Sequence, residues 1–132
     1  MRPDPLSSPP LSAVDYAWLR MDDPTNLMMI NGVLVMEGPV DLGRLREVMV
    51  KRLLPIPRFR QRVATPPKGG WPRWEADPDF DIDHHLTPVT LPEPGDDAEL
   101  RAVIEGLASA PLDPTRPLWH FHAIANYRGG TV

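Results

Sequence analysis

Apolar residues along this chain switch between a helical and a strand-like period, and each switch falls near a capping residue, a glycine or a proline. Val14, Ala17, Trp18 and Met21 share one helical face behind Ser12, with Asp15 placed to complete a capping box. Pro24 ends that helix. In residues 26–37, Met28, Ile30, Leu34 and Met36 take one strand parity while Met29, Val33 and Val35 take the other, which predicts an interior strand apolar on both faces. Gly38 and Pro39 turn the chain, Asp41 caps, and Leu42, Leu45, Val48, Met49 and Leu53 recur at helical spacing as far as Pro55.

Arg58, Arg60 and Arg62 occupy alternate positions, so a strand over residues 55–63 would project three guanidinium groups from one face and Phe59, Gln61 and Val63 from the other. After a proline and glycine loop at 64–70, Phe80, Ile82, His84 and Leu86 alternate with Asp81, Asp83 and His85. This predicts a second strand, with His84 buried and His85 facing outward. Asp96 to Glu99 supply another capping pattern ahead of Leu100, Val103, Ile104 and Leu107, and this third helix ends near Pro111. Residues 118–125 form an apolar run suited to a buried strand, followed by a turn through Tyr127, Arg128, Gly129 and Gly130 and the start of a return strand at Thr131 and Val132.

The expected fold is therefore α/β, in the α+β sense, with a mixed sheet and about three helices. A strand whose return partner has barely begun leaves backbone groups facing nothing. The chain is accordingly expected to be the front of a longer protein, with residues 1–10 a flexible N-terminus and residues 11–132 an incomplete N-terminal domain.

Composition narrows the function classes. With 42% hydrophobic and 24% charged residues the chain reads as an ordinary globular one, and its 18 prolines are scattered as turn and end markers instead of forming a repeat. Without cysteine there is no disulfide, thiolate metal site or thiol nucleophile in this span. The N-terminus lacks a signal-peptide core, and no stretch approaches the roughly 20 apolar residues of a membrane span. Cytoplasmic location is expected, with any membrane contact peripheral.

The net charge of -4 conceals an asymmetry. Arg44, Arg46, Lys51, Arg52, Arg58, Arg60 and Arg62 crowd a span whose one acid is Glu47, whereas acids dominate residues 73–113. The basic span suits a phosphate or an anionic lipid surface, and it equally suits a solvated face or a charge-protected edge strand. It lacks the interleaved aromatics of a nucleic-acid surface.

Candidate metal ligands are sparse. Asp81, Asp83 and His85 would share a strand face, but an outward polar face accounts for them more simply. His120 and His122 lie two apart on one strand face with Leu118 and Ile124, an arrangement that could hold zinc, yet no third ligand stands at a recognisable spacing. No metal is assigned. Phosphate-loop, nucleophile-elbow and zinc-enzyme motifs are absent.

Several stretches together resemble the N-terminal part of the bacterial wax ester synthase/diacylglycerol acyltransferase family. They are the run from Leu11 to Leu19, then Asp23, Pro24, Thr25 and Asn26, then residues 57–62, Trp74 with Glu75, residues 79–85, and above all Pro117, Leu118 and Trp119. The resemblance covers residues 11–132. It implies a chloramphenicol-acetyltransferase-like, CoA-dependent fold that moves a fatty acyl group from acyl-CoA, a co-substrate and not a resident cofactor, to diacylglycerol or a long-chain alcohol.

Catalysis in that family rests on an HHxxxDG motif whose second histidine deprotonates the acceptor hydroxyl. Neither His84 with His85 nor His122 fits it, since Val89 and Thr90, or Asn126 and Tyr127, stand where the aspartate and glycine belong. The motif is expected beyond Val132, so no catalytic residue is assigned here and the span alone is expected to be inactive. Pro117, Leu118 and Trp119 are the expected tunnel-lining residues, and Arg58, Arg60 and Arg62 the expected contacts for CoA phosphate or anionic lipid.

The implied partners are the remaining C-terminal polypeptide, acyl-CoA, the acyl acceptor, and an inner-membrane or lipid-inclusion surface. Two alternatives remain. One is a condensation-domain-like member of the same superfamily, and the other a non-catalytic module binding lipid or a partner.

Overall fold

The computed structural model describes residues 8–132, so most of the expected flexible N-terminus lies outside it. Residues 8 to 10 are tied down: the Trp74 amide donates to the Pro9 carbonyl, the Leu11 amide to Pro72, and the Arg73 Nε to Ser8. Leu11 is buried there, its own carbonyl taking the Trp71 indole N–H at 2.7 Å.

Three helices form where caps and apolar stripes coincide. Helix α1 (Ala13–Met21) starts with the Ser12 hydroxyl accepting from the Asp15 amide. Helix α2 (Leu42–Arg52) starts with the Asp41 carboxylate accepting from the Arg44 amide, and α3 (Asp97–Ala108) with Glu99 reaching back to the Asp96 amide. The expected apolar face of α1 is not buried: Val14, Trp18 and Met21 are exposed, and the helix is held by Tyr16 packing edge-on against Trp71.

Strands β1 (Gln61–Ala64) and β2 (Arg73–Ala76) form an antiparallel pair. Strands β3 (Leu86–Thr90), β4 (Phe121–Tyr127) and β5 (Gly130–Thr131) form the mixed sheet, with β4 central, parallel to β3 and antiparallel to β5. Helix α3 makes the crossover that a parallel pair requires. Pro88 has no backbone N–H, and it is tolerated because β3 lies at the edge of this sheet. The two faces of the sheet carry separate cores. Leu86 and Ala123 pack with Ile82 and with Leu45 and Met49 of α2, while Val89 and Ile124 pack with Leu100, Val103 and Leu107 of α3 and with Leu91. Burying each large side chain contributes roughly 1.5–3 kcal/mol.

Three expected strands are corrected. Residues 26–37 form no ladder; Asn26 bridges back to Asp23 and Met36 to Thr131, and Ile30 is 96% exposed. Apolar faces become interior only if a neighbour strand pairs alongside, and among the described residues the neighbour is β5, two residues long. In the span expected to be a strand at 55–63, Pro57 opens a 3-10 helix, Pro57–Arg60, and β1 begins only at Gln61. The stretch 80–86 is broken by a 3-10 helix, Ile82–His84, because the Asp81 carboxylate accepts from the Asp83 amide and draws the backbone into a turn.

Candidate functional site at the start of the central strand

Pro117, Leu118 and Trp119 lead into β4, which starts at Phe121, three residues later than the apolar run suggests. Pro117 is buried and Leu118 exposed. The Trp119 amide donates to the Pro117 carbonyl at 2.9 Å, a tight turn that delays the strand.

Trp119 is held on several sides. Its indole Nε1–H donates to the Phe59 carbonyl at 2.9 Å, and its ring meets Phe59 and Phe121 edge-on, with centroids 5.7 and 5.8 Å away. One face stacks on the His85 imidazole at 4.4 Å and 21° between planes, and the other side of that imidazole stacks on Phe80 at 5.3 Å and 17°. The resulting column is Phe80, His85, Trp119.

The 3-10 turn at 82–84 reverses the expected roles of the adjacent histidines. His85 is 3% exposed and its Nδ1 lies 2.8 Å from the Trp119 carbonyl, whereas His84 is at the surface. A carbonyl can only accept, so the His85 Nδ1 carries the hydrogen of that bond.

His120 and His122 do share a face, as their spacing predicts, with rings parallel within 12° and centroids 4.2 Å apart. His120 Nε2 is 2.7 Å from the Thr87 hydroxyl, across the parallel pair in which Thr87 stands opposite His122. Burial, with His122 and then His85 alongside, holds the His120 imidazole down to about 4, and burial lowers His122 as well. At neutral pH these two rings are uncharged. They can exchange hydrogen bonds with a polar ligand but cannot neutralise a phosphate. Among the described residues, no three His, Cys, Asp or Glu side chains gather to hold a metal ion, and Asp81, Asp83 and His85 do not converge: Asp83 pairs with Arg46 at 2.8 Å while His85 is buried on Trp119.

The arginine trio is not one phosphate-facing row. Arg58 lies over the Trp74 ring, 3.7 Å from its centroid. Arg60 Nε donates to the Leu54 carbonyl. Arg62 is committed to Glu75 at 2.9 Å and stands 3.9 Å from the buried Asp77 carboxylate. The 3-10 turn at 57–60 aims successive side chains in different directions, which the alternating spacing alone could not show.

Sequence reasoning missed His85, Thr87, Phe59 and Phe80 as neighbours of Trp119 and of the histidine pair. The signal for His85 was the Asp81-x-Asp83 spacing, which marks a turn and shifts the parity of everything after it. Phe59 is distant in sequence, and no local pattern announces it.

Asp23 makes a local turn, accepting from both the amide and the hydroxyl of Thr25, and Asn26 exchanges backbone hydrogen bonds with it. This gives the motif Asp23, Pro24, Thr25, Asn26 a shape but not a chemical role. Among the described residues no helix is long and apolar enough to cross a membrane.

Comparison with known proteins agrees with this frame. The model of the wax ester synthase/diacylglycerol acyltransferase catalytic domain matches residues 11–132. A Mycobacterium tuberculosis protein named "Probable diacyglycerol O-acyltransferase tgs3" is 36% identical over 118 residues, covering 86% of this chain and 44% of the relative. The tgs1 protein of the same organism, named in the same terms, is 35% identical over 118 residues, covering 86% of this chain and 26% of its own length. The chain thus spans less than half the length of these curated relatives. A solved structure, the wax ester synthase/diacylglycerol acyltransferase from Marinobacter aquaeolei VT8, superposes with a TM-score of 0.63 at 24% identity, covering 89% of this chain and 29% of that one. With the family match running from Leu11 to Val132 through every segment on which the resemblance rests, the chain belongs to the wax ester synthase/diacylglycerol acyltransferase catalytic-domain family.

Proposed function

We propose that the protein transfers a fatty acyl group from acyl-CoA to diacylglycerol or a long-chain alcohol, and that this chain supplies the first part of the acyltransferase domain. The observation that carries the reading is the immobilised Pro117, Leu118 and Trp119 segment at the mouth of the central strand, within a chain of this family. A wall fixed by three hydrogen bonds and a ring stack keeps its shape when an apolar chain lies along it, which lowers the ordering cost of binding. Leu118 and Phe121, both partly exposed, extend that wall beside Trp119.

The base that deprotonates the acceptor hydroxyl is assigned to an HHxxxDG histidine in the remaining polypeptide. His120 and His122 are not offered in its place, because His120 already bonds Thr87 and its motif partners are missing. Arg58 and Arg60 are exposed and remain the proposed contacts for CoA phosphate or anionic lipid, with Arg62 withdrawn from that role by Glu75 and Asp77. A cytoplasmic enzyme touching the inner membrane or a lipid inclusion peripherally fits the apolar residues exposed on α1 and at 30–36.

The test is acyl transfer by the intact protein from palmitoyl-CoA to diacylglycerol and to hexadecanol. Trp119→Ala removes the wall and is expected to lower kcat/KM by about 100-fold, the scale of a misplaced substrate. An intact wild-type protein that acylates neither acceptor refutes the proposal. In that case vesicle binding through the exposed apolar residues becomes the leading function.

A further inference from the structure

His85 has no place in the chemistry assigned above, yet it is among the most buried polar residues described, at 3% exposure. A side chain so enclosed does not touch a substrate; whatever it does, it does through its neighbours. Those neighbours are specific. Its backbone carbonyl accepts from the Phe121 amide at 2.8 Å, its Nδ1–H donates to the Trp119 carbonyl at 2.8 Å, and its ring lies between Phe80 and Trp119.

The two polar contacts straddle His120. The first continues the parallel ladder between β3 and β4 by one backbone bond, and the second replaces the next backbone donor with an imidazole N–H. That substitution lets the chain turn at Trp119 while its buried-side carbonyl stays satisfied, avoiding the desolvation cost of an acceptor left without a donor. Phenylalanine could supply the stack but not the donor. Asparagine could supply a donor near the Nδ1 position but not the stack. Among common side chains, histidine supplies both.

We propose that His85 is the positioning residue of the acyl-chain wall, setting the orientation of the Trp119 indole and through it the length of acyl chain the protein accepts. The inference rests on the acyltransferase reading, and it adds a residue, a mechanism and a specificity to it. Trp119 and Phe121 meet edge-to-face beside the exposed Leu118, so a loosened indole changes the apolar surface that a long chain would lie along. A short acyl group that does not reach the wall is indifferent to the change.

The experiment uses the intact protein, with palmitoyl-CoA and butyryl-CoA as donors and hexadecanol as acceptor. His85→Phe is expected to raise KM for palmitoyl-CoA about tenfold, with kcat held within about twofold and the butyryl-CoA parameters nearly unchanged. His85→Asn, which restores the donor to the Trp119 carbonyl but not the stack, is expected to recover part of the palmitoyl-CoA affinity, leaving KM about threefold above wild type. A merely structural role would lower kcat for both donors together and show no recovery in the asparagine variant; that result overturns the proposal. So does a His85→Phe protein with the wild-type chain-length profile.

If His85→Phe does not fold, Phe80→Leu loosens the same ring from its other side while keeping the donor. It must then raise the palmitoyl-CoA KM more than the butyryl-CoA KM, and equal effects overturn the proposal. A wild-type protein that transfers neither acyl group, to hexadecanol or to diacylglycerol, overturns the acyltransferase reading itself, a result distinct from active enzyme with an indifferent His85.

Discussion

Gly95 lies where the loop before α3 meets the turn between β4 and β5, and replacing it with alanine should be among the most damaging small changes in the chain. Its φ is +71°, and its carbonyl accepts from the Arg128 amide at 3.0 Å. A Cβ built there lands on the Asn126 backbone carbonyl oxygen, closer than any real Cβ contact, with the Asn126 side-chain Nδ2 at 3.1 Å and its backbone carbonyl carbon at 3.2 Å. Asn126 cannot simply withdraw. It is itself left-handed, with φ 67°, and its side-chain amide donates to the Leu91 carbonyl at 3.0 Å.

Two costs add in Gly95→Ala. The left-handed backbone costs an alanine about 1–2 kcal/mol. Displacing a packed backbone carbonyl costs about 1–3 kcal/mol more, by analogy with overpacked cores.

Two other glycines separate these terms. Gly129 has φ +77° with nothing within 4 Å of its Cβ position, so Gly129→Ala isolates the conformational cost. Gly106 sits inside α3 with open space around it, so Gly106→Ala should stabilise by about 0.5–1 kcal/mol through the unfolded chain and the helix propensity. Urea unfolding of the intact protein reads all three as shifts in midpoint at constant slope. The expected order of stability is Gly106→Ala, wild type, Gly129→Ala, Gly95→Ala. If Gly95→Ala is no less stable than Gly129→Ala, the close approach to Asn126 does not exist in solution and the geometry of the α3 entry described above is wrong.

His120 makes stability depend on pH with a definite sign. Its folded value of about 4 lies below the ordinary 6.5, so the unfolded chain binds the extra proton between them and stability falls as pH drops through that window. His122, lowered by burial, adds in the same direction. The slope of unfolding midpoint against pH from about 6.5 to about 4 should be shallower in His120→Asn than in wild type, and identical slopes would show that the ring is not held uncharged. Arg58→Ser with Arg60→Ser should weaken binding to phosphatidylserine vesicles or CoA by about 2 kcal/mol, roughly 30-fold, at about 1 kcal/mol per arginine. Unchanged affinity removes both residues from the anionic contact.

What the sequence could and could not convey follows from the range of the interactions concerned. The α2 and α3 boundaries were legible because their determinants lie within one turn: Asp41 caps Arg44, Glu99 bonds the Asp96 amide, and the apolar stripes follow at once. The same local logic, applied as simple alternation, failed at 57–60 and 82–84. There Pro57 and the Asp81 carboxylate each insert a 3-10 turn, and a turn of three or four residues resets side-chain parity.

That reset is why His84 looked buried and His85 exposed, the reverse of what forms, and why three arginines at strand spacing hold three unrelated partners. The apolar run at 26–37 failed for the opposite reason, since its pattern is strand-like but a strand exists only in company. The candidate site divides the same way. Pro117, Leu118 and Trp119 can be picked out of the sequence as a contiguous motif, but Phe59 and His85 reach Trp119 from 60 and 34 positions away, with Phe80 behind His85, and become its surroundings only once α2, β3 and β4 have packed. A positioning residue is therefore the kind of functional residue that sequence patterns least reveal, because its own local surroundings look like a turn and its role is defined by the ring it meets.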